Sequence, residues 1–487
     1  MNLPSDFGAD GRMRPTRGER VTVESATARK RHFRSDGVLH ATINGHRFHL
    51  RENEDHDSLL WIDGRQPPLI LDQTAARFMR LVIDGMWRFQ QGDGDESQRV
   101  VDYVVDGMYE THGRPFAVGK RRVTRQRIRA DLDRLFGTIM GVAEGKCPAE
   151  AGLDSRVINF AAWRAPARMD LAITYQCNLK CSKCYLPDTG AMSELATQEW
   201  LKIYEILWSI GVPQVVFTGG EPTLRPDIVE LISQADEFVT GLVTNGTRLA
   251  ELAEPLRGAS LDYVQVTIES SSPGVHDRMT GVAGSHALTV ASIKQATATG
   301  IQVVTNTTLT RLNAPSFVET VRWLHEVLGI EHVACNTIIC SGRGVACKAD
   351  NGLSGDELRP YLEQACQEAD RLGIDLQWYS PTCYVTGVNP LDLGFGIKAC
   401  SAAAHNMTIQ PDGTVLPCQS WPETVGNILT DPWDSIWNHP ICVKLRRGQP
   451  PQECRGCAHE DACAGGCPLD DSPRRKTPSG ESEGGRP

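Results

Sequence analysis

Met169-Asp170-Leu171-Ala172-Ile173-Thr174-Tyr175 runs, through Gln176, into Cys177-Asn178-Leu179-Lys180-Cys181-Ser182-Lys183-Cys184-Tyr185. An apolar run of strand length is followed at once by three cysteines in one short loop. Closely spaced soft thiolates suit an iron–sulfur cluster or zinc, and a closed structural site uses four ligands. Three leave one coordination position open, unless a distant cysteine closes the set as in a zinc knuckle.

Outward from this loop the chain alternates strand and helix. Strands are expected at 169–175, 214–218, 239–243, 262–268, 301–309 and 331–338, with helices at 196–210, 226–236, 247–256, 285–299 and 314–328. Right-handed crossovers then give a parallel sheet, a partial (β/α)6 TIM-like barrel whose active site lies at the C-terminal strand ends. The polar candidates fall at those ends. Gly219-Gly220-Glu221-Pro222 closes the second strand, Thr244-Asn245-Gly246 the third and Glu269-Ser270 the fourth, while Asn306 lies on the fifth. The two glycines let backbone approach a ligand closely, and Glu221 offers a carboxylate acceptor beside them.

Cys-x3-Cys-x2-Cys after a strand, with Gly-Gly-Glu-Pro at the next strand end, resembles the core of radical S-adenosylmethionine (radical SAM) enzymes. The resemblance implies a [4Fe–4S] cluster on Cys177, Cys181 and Cys184 whose fourth ligand is the amino and carboxylate group of SAM. It also implies contact of Gly219, Gly220, Glu221 and Pro222 with the SAM methionine. Asn245, Glu269, Ser270 and Asn306 would hold its ribose and carboxylate. Reductive cleavage of SAM would yield methionine and a 5′-deoxyadenosyl radical that takes hydrogen from the substrate. At the mouth of the sixth strand Cys340 is a candidate hydrogen-atom donor or substrate contact. A buried structural thiol is the alternative for it, as for Cys335 and Cys347.

Seven of the cysteines in the C-terminal third fall in a pattern: Cys383, then Cys400-x12-Gly413-x4-Cys418, then Cys454-x2-Cys457-x5-Cys463-x3-Cys467. Short apolar runs there bury little core, so bound metal would have to supply folding energy. From about 380 to 470 the spacing resembles the SPASM domain, the extension that carries auxiliary [4Fe–4S] clusters. The resemblance implies one auxiliary cluster on Cys400, Cys418 and Cys467, with Cys383 a plausible fourth ligand, and a second on Cys454, Cys457 and Cys463. No cysteine follows Cys467. The second cluster would then take His459, Asp470 or Asp471, keep an open iron for substrate, or use Cys442; zinc on Cys454, Cys457, Cys463 and Cys467 is the structural alternative.

Ahead of the barrel, strands at 38–43, 47–50 and 59–62 are expected, the first two joined by Asn44-Gly45. Helices at 73–84, 98–110 and 124–142 follow, the last capped by Thr124. This 36–145 segment looks like the winged-helix element with which radical SAM peptide-modifying enzymes hold a leader peptide, by strand addition to a sheet edge. A structural or dimerisation module is the competing reading. The expected organisation is a basic, unstructured arm (1–35), this module (36–145), a linker (146–166), the core (167–345), the auxiliary-cluster region (346–471) and a low-complexity tail (472–487).

The whole chain, 487 residues with net charge −10 and sixteen cysteines, has neither a signal-like apolar start nor a run of membrane-spanning length. Its acidity argues against bulk nucleic-acid binding, and clustered cysteines in a reducing compartment read as metal ligands before disulfides. The expectation is a cytoplasmic enzyme that oxidatively modifies a ribosomally made peptide, with an electron donor such as a ferredoxin or flavodoxin. Action on a small molecule or cofactor precursor shares every motif. A non-catalytic electron carrier has no need of the Gly219–Pro222 motif.

Overall fold

The computed structural model describes residues 38–51, 58–63, 68–89, 96–112, 123–146, 163–186, 192–259, 261–448 and 450–470. The expected arm and tail, nearly all of the expected linker, Cys147 and Asp471 lie outside them. The described residues fall into two compact units divided between Ala162 and Trp163.

The first unit is an antiparallel meander, β1 (Val38–Ile43), β2 (His46–Arg51), β3 (Ser58–Ile62) and β4 (Leu69–Leu71), followed by α1 (Gln73–Phe89), α2 (Glu96–His112) and α3 (Arg125–Ala143). Asn44 and Gly45 turn β1 into β2, both at positive φ, as a two-residue hairpin loop requires. Alternating residues such as Phe48, Leu50, Leu60 and Ile62 meet Met79, Val82 and Val104 from the helices in one apolar core. Thr124 caps α3, accepting from the Arg127 N–H at 3.2 Å. The expected order of elements holds, with β4 as an addition.

In the second unit, β6 (Gln214–Gly219) is buried along its whole length, the signature of a parallel strand covered on both faces. It lies between β5 (Arg168–Thr174) and β7 (Val239–Thr244), and the sheet continues through β8 (Tyr263–Thr267), β9 (Gln302–Leu309) and β10 (His332–Thr337), all parallel. The crossovers are α4 (Thr197–Ser209), α5 (Ile228–Ser233), α6 (Leu249–Gly258), the pair α7 (Pro273–Thr280) and α8 (Ser285–Ala298), and α9 (Phe317–Leu328). Trp200 and Trp208 of α4 pack fully buried beside Phe217 and Phe238. All six expected strands are present, and α7 is the one helix of this stretch that periodicity did not signal.

The C-terminal third is not a separate body but prolongs the same sheet. After α10 (Gly344–Asn351) and α11 (Gly355–Leu372), β11 (Asp375–Trp378) pairs parallel with β10. The chain then crosses to the other edge, where β12 (Asn406–Ile409) pairs parallel with β5 and leads to β13 (Thr414–Leu416) and β14 (Gly426–Asn427). The result is a ten-stranded sheet in the order β11-β10-β9-β8-β7-β6-β5-β12-β13-β14. Three short helices complete it, α12 (Trp433–Trp437), α13 (Pro440–Arg446) and α14 (Glu460–Cys463). Strand pairing thus joins the core and the cysteine-rich region in one sheet across the expected boundary near 346. No helix among the described residues is long and apolar enough to cross a membrane.

Candidate active site

The carboxyl ends of the parallel strands open into a cavity of about 1360 Å³, larger than the roughly 300–1,000 Å³ of a typical small-molecule pocket. Cys177, Cys181 and Cys184 stand on its wall. The loop that carries them is held by backbone. The Lys180 N–H donates to Thr280 O at 2.8 Å, the Gly344 N–H to Cys184 O at 3.1 Å, and Arg343 Nε to Cys181 O at 3.0 Å.

Gly219 and Gly220 also line the cavity and pack on the strand that feeds the loop. The Gly220 N–H donates to Thr174 O at 2.8 Å. A Cβ on Gly219 would stand 2.0 Å from Thr174 O and one on Gly220 2.3 Å from Gln176 O, so neither position admits a side chain. Asn245 and Asn306 are on the wall too. Asn245 Nδ2 donates to Asn178 Oδ1 at 2.9 Å, which ties the third strand end to the cysteine loop.

Glu221, Pro222, Glu269 and Ser270 are buried at the same strand ends and are not among the residues that line the cavity. The fully buried Glu221 carboxylate accepts from Thr244 Oγ1 and the Asn245 N–H, both at 2.7 Å, and from Thr223. Burial pushes its carboxyl up and those hydrogen bonds oppose the rise, so Glu221 is a brace for strand ends two and three. Ser270 Oγ accepts from the Ser272 N–H at 3.1 Å, at the start of α7. Glu269 pairs with Lys183 of the cysteine loop at 2.6 Å, and Lys183 also donates to Thr308 Oγ1 at 2.9 Å. Desolvation lowers the Lys183 ammonium, Glu269 and Cys181 raise it, and the net shift is upward, which keeps a cation beside the thiols.

Cys400, Cys418 and Cys467 line the same cavity. Tyr185 joins the two cysteine-bearing segments, its hydroxyl donating to Gln419 Oε1 at 2.8 Å. Arg168, Asp170, Tyr263 and Tyr379 also line the space, with Arg168 and Asp170 in an ion pair at 2.9 Å. Cys383, Cys454, Cys457 and Cys463 are not among the lining residues. Nor is Cys340, although its neighbours Ile339, Gly342 and Arg343 are. Cys335 is fully buried, and Cys347 is buried 3.8 Å from Ser182 Oγ.

The donor set fits iron–sulfur clusters. Burial pushes the Cys177 thiol up, Cys181 up to about 11 and both Cys418 and Cys467 up to about 12, so thiolates here need a bound cation. Among the described residues no three His, Cys, Asp or Glu side chains converge as ligands of one metal ion do. A cluster puts each thiolate on its own iron and spreads the sulfurs wider than the roughly 3.8 Å edge of a tetrahedral zinc–thiolate site. Sequence reasoning missed Lys183, Arg343 and the Tyr185–Gln419 link. Only a lysine inside the cysteine loop itself hinted at the first.

Residues 171–324 match the model of the radical SAM superfamily, and residues 400–458 match that of the SPASM iron–sulfur cluster-binding domain. The chain is 29% identical over 320 residues to a PqqA peptide cyclase of Ruegeria pomeroyi, covering 62% of this chain and 82% of that one. A PqqA peptide cyclase of Gluconobacter oxydans is 28% identical over 313 residues, covering 62% and 85%. Among solved structures, Streptococcus suis SuiB bound to its precursor peptide SuiA superposes with TM-score 0.57 at 16% identity, covering 89% of this chain and 95% of that one. The anSMEcpe enzyme with bound AdoMet does so with TM-score 0.50 at 16% identity, covering 62% and 89%. Fold, thiol loop and family model together identify residues 171–324 as a radical SAM core. Residues 400–458 form a SPASM domain, and the two domain types imply [4Fe–4S] clusters.

Proposed function

We propose that this radical SAM enzyme oxidatively modifies a ribosomally made peptide. One observation carries the reading: a single cavity is lined both by the thiols of the core loop and by those of the SPASM region. A substrate held there is within reach of both. The peptide class is supported by the PqqA peptide cyclase relatives and by the likeness to SuiB, whose structure holds its precursor peptide.

Cys177, Cys181 and Cys184 would hold the SAM-binding cluster, and Cys400, Cys418 and Cys467 an auxiliary one. When bound, these groups supply one-electron reduction, hydrogen abstraction from the substrate and an acceptor for the electron then released. The chain's own residues position and shield. Gly219 and Gly220 let a ligand lie against backbone, Asn245 and Asn306 offer hydrogen bonds, and Glu221 fixes the strand ends that present them. The Lys183–Glu269 pair places a fixed cation behind the loop. Arg168, Asp170, Tyr263 and Tyr379 give the substrate side a mixed polar and aromatic lining that displaces water.

The 36–145 module, with β1 and β4 as the terminal strands of its sheet, would dock the leader part of the peptide by strand addition. A reducing compartment with a ferredoxin or flavodoxin as donor completes the reading. The test is anaerobic incubation of the reduced enzyme and SAM with short peptides encoded beside its gene, read by mass spectrometry. A loss of about two mass units from one such peptide is the expected result for an oxidative cross-link. Unchanged peptides together with conversion of a small-molecule precursor would overturn the peptide assignment.

A further inference from the structure

The spacing of the C-terminal cysteines leaves the second auxiliary cluster one ligand short and groups Cys383 with the first. The fold sorts them otherwise. After α14 the chain runs from Cys463 to Cys467 through Ala464, Gly465 and Gly466, all at positive φ, and only the second of these cysteines lines the cavity. Cys467 lines the cavity with Cys400 and Cys418, and its N–H donates to Pro381 O at 2.8 Å. Two residues beyond Pro381, the Cys383 backbone lies against the turn. A Cβ on Gly466 would stand 2.7 Å from Cys383 N, and one on Gly465 3.3 Å from the Cys454 sulfur. The next ring along, Tyr384, packs on His459 with centroids 5.7 Å apart, between Cys457 and Cys463 in sequence. The segment that carries Cys383 therefore packs on the turn that closes the Cys454–Cys463 knot.

That leaves a vacancy in the first set, and the loop after β10 reaches it. Ser341 Oγ donates to Ser420 O at 3.0 Å, two residues from Cys418. Lys348, whose ammonium also hydrogen-bonds the Cys340 thiol, pairs with Asp470 at 2.6 Å, three residues from Cys467. Cys340 is thus pinned between the segments that carry Cys418 and Cys467.

We infer that Cys340, Cys400, Cys418 and Cys467 ligate one auxiliary cluster, and Cys383, Cys454, Cys457 and Cys463 the other. Both are then all-thiolate. Of the non-cysteine candidates among the described residues, His459 packs on Tyr384 and Asp470 pairs with Lys348. Cys442 is fully buried in α13, beside an Arg446 guanidinium that stacks 3.8 Å over the Trp437 ring. This inference rests on the reading of the C-terminal third as a cluster domain.

The test uses full-length protein reconstituted anaerobically, read by iron analysis and electron paramagnetic resonance. The unaltered protein should hold about twelve irons, as three [4Fe–4S] clusters require. Cys383→Ala and Cys454→Ala should each remove about four irons, or open one cluster to oxidative conversion into a [3Fe–4S] form, and combining them should add nothing. Cys340→Ala and Cys400→Ala should form a second non-additive pair, and Cys383→Ala with Cys400→Ala should sum. Cys383→Ser and Cys340→Ser, close in size to cysteine, repeat the comparison where an alanine variant fails to fold. Non-additivity of Cys383 with Cys400 would overturn the partition, as would iron and spectra unchanged by Cys383 or Cys340 replacement. Unaltered protein that holds only about four irons would instead overturn the cluster-domain reading itself.

Discussion

The two cysteine-bearing regions of this molecule gather thiols by opposite means. Around Cys177, Cys181 and Cys184 the scaffold comes first: a buried parallel sheet sets Thr174 and Gly219 side by side, and backbone hydrogen bonds from Lys180 and Gly344 fix the loop. Around Cys454–Cys467 the local elements are single turns, and the path bends through three successive residues at positive φ, including Ala464. A non-glycine residue there costs about 1–2 kcal/mol that local packing does not return. The difference teaches that the core site is preorganised for its cluster, whereas the SPASM knot depends on its clusters for its shape.

Iron removal is the strongest way to break this comparison. In anaerobically chelated protein, amide hydrogen exchange should become fast over residues 450–470 and stay slow in β5–β9. Equal loss of protection in both would contradict it. The next largest effect is expected at Lys183, one half of a nearly buried ion pair. Lys183→Met leaves the Glu269 carboxylate uncompensated and should cost about 3–5 kcal/mol in denaturant unfolding, and adding Glu269→Gln should recover most of it. No recovery in the double variant would show that the pair is not the source.

Gly220→Ala sharpens the same point more gently. Its methyl would meet the Gln176 and Tyr175 carbonyl oxygens, at 2.3 and 2.7 Å, so the loop must shift, at about 1–3 kcal/mol. SAM affinity by calorimetry should fall at least about tenfold while helical circular dichroism is kept.

The smallest effect is in pH. Burial first, and His286 second, lower the His276 imidazole from 6.5 to about 4, and its Nδ1 accepts from the Glu269 N–H at 3.2 Å. The unfolded chain binds this proton below about 6.5 and the folded one only near 4, so stability should decline as pH falls through that window. Thermal unfolding of His276→Gln should show a shallower decline over the same range. An unchanged slope would remove His276 from the account.

Much of this was legible in the sequence. The strand expected at 169–175 is Arg168–Thr174 and that at 331–338 is His332–Thr337, because a continuous apolar run bounded by turn residues has few other uses. The cysteine loop and the glycine pair were legible from spacing alone. Less legible was α7, where Ser270-Ser271-Ser272-Pro273-Gly274 reads as a loop although Pro273 opens a helix. Strands as short as β13 and β14 carry too little periodicity to read, so the extension of the core sheet by the SPASM domain went unseen. Burial of Glu221 and Glu269 at the strand ends, the pairing of Lys183 and the turn that parts Cys463 from Cys467 are tertiary facts. Motif spacing says which residues gather at a strand end, not which way each side chain turns.

The most direct test of the central claim is the yield of 5′-deoxyadenosine from SAM in reduced, anaerobic, reconstituted protein. The account predicts steady formation of 5′-deoxyadenosine and methionine by the unaltered chain and none by the Cys177→Ala, Cys181→Ala, Cys184→Ala triple variant. Persistence of cleavage in that variant would contradict it.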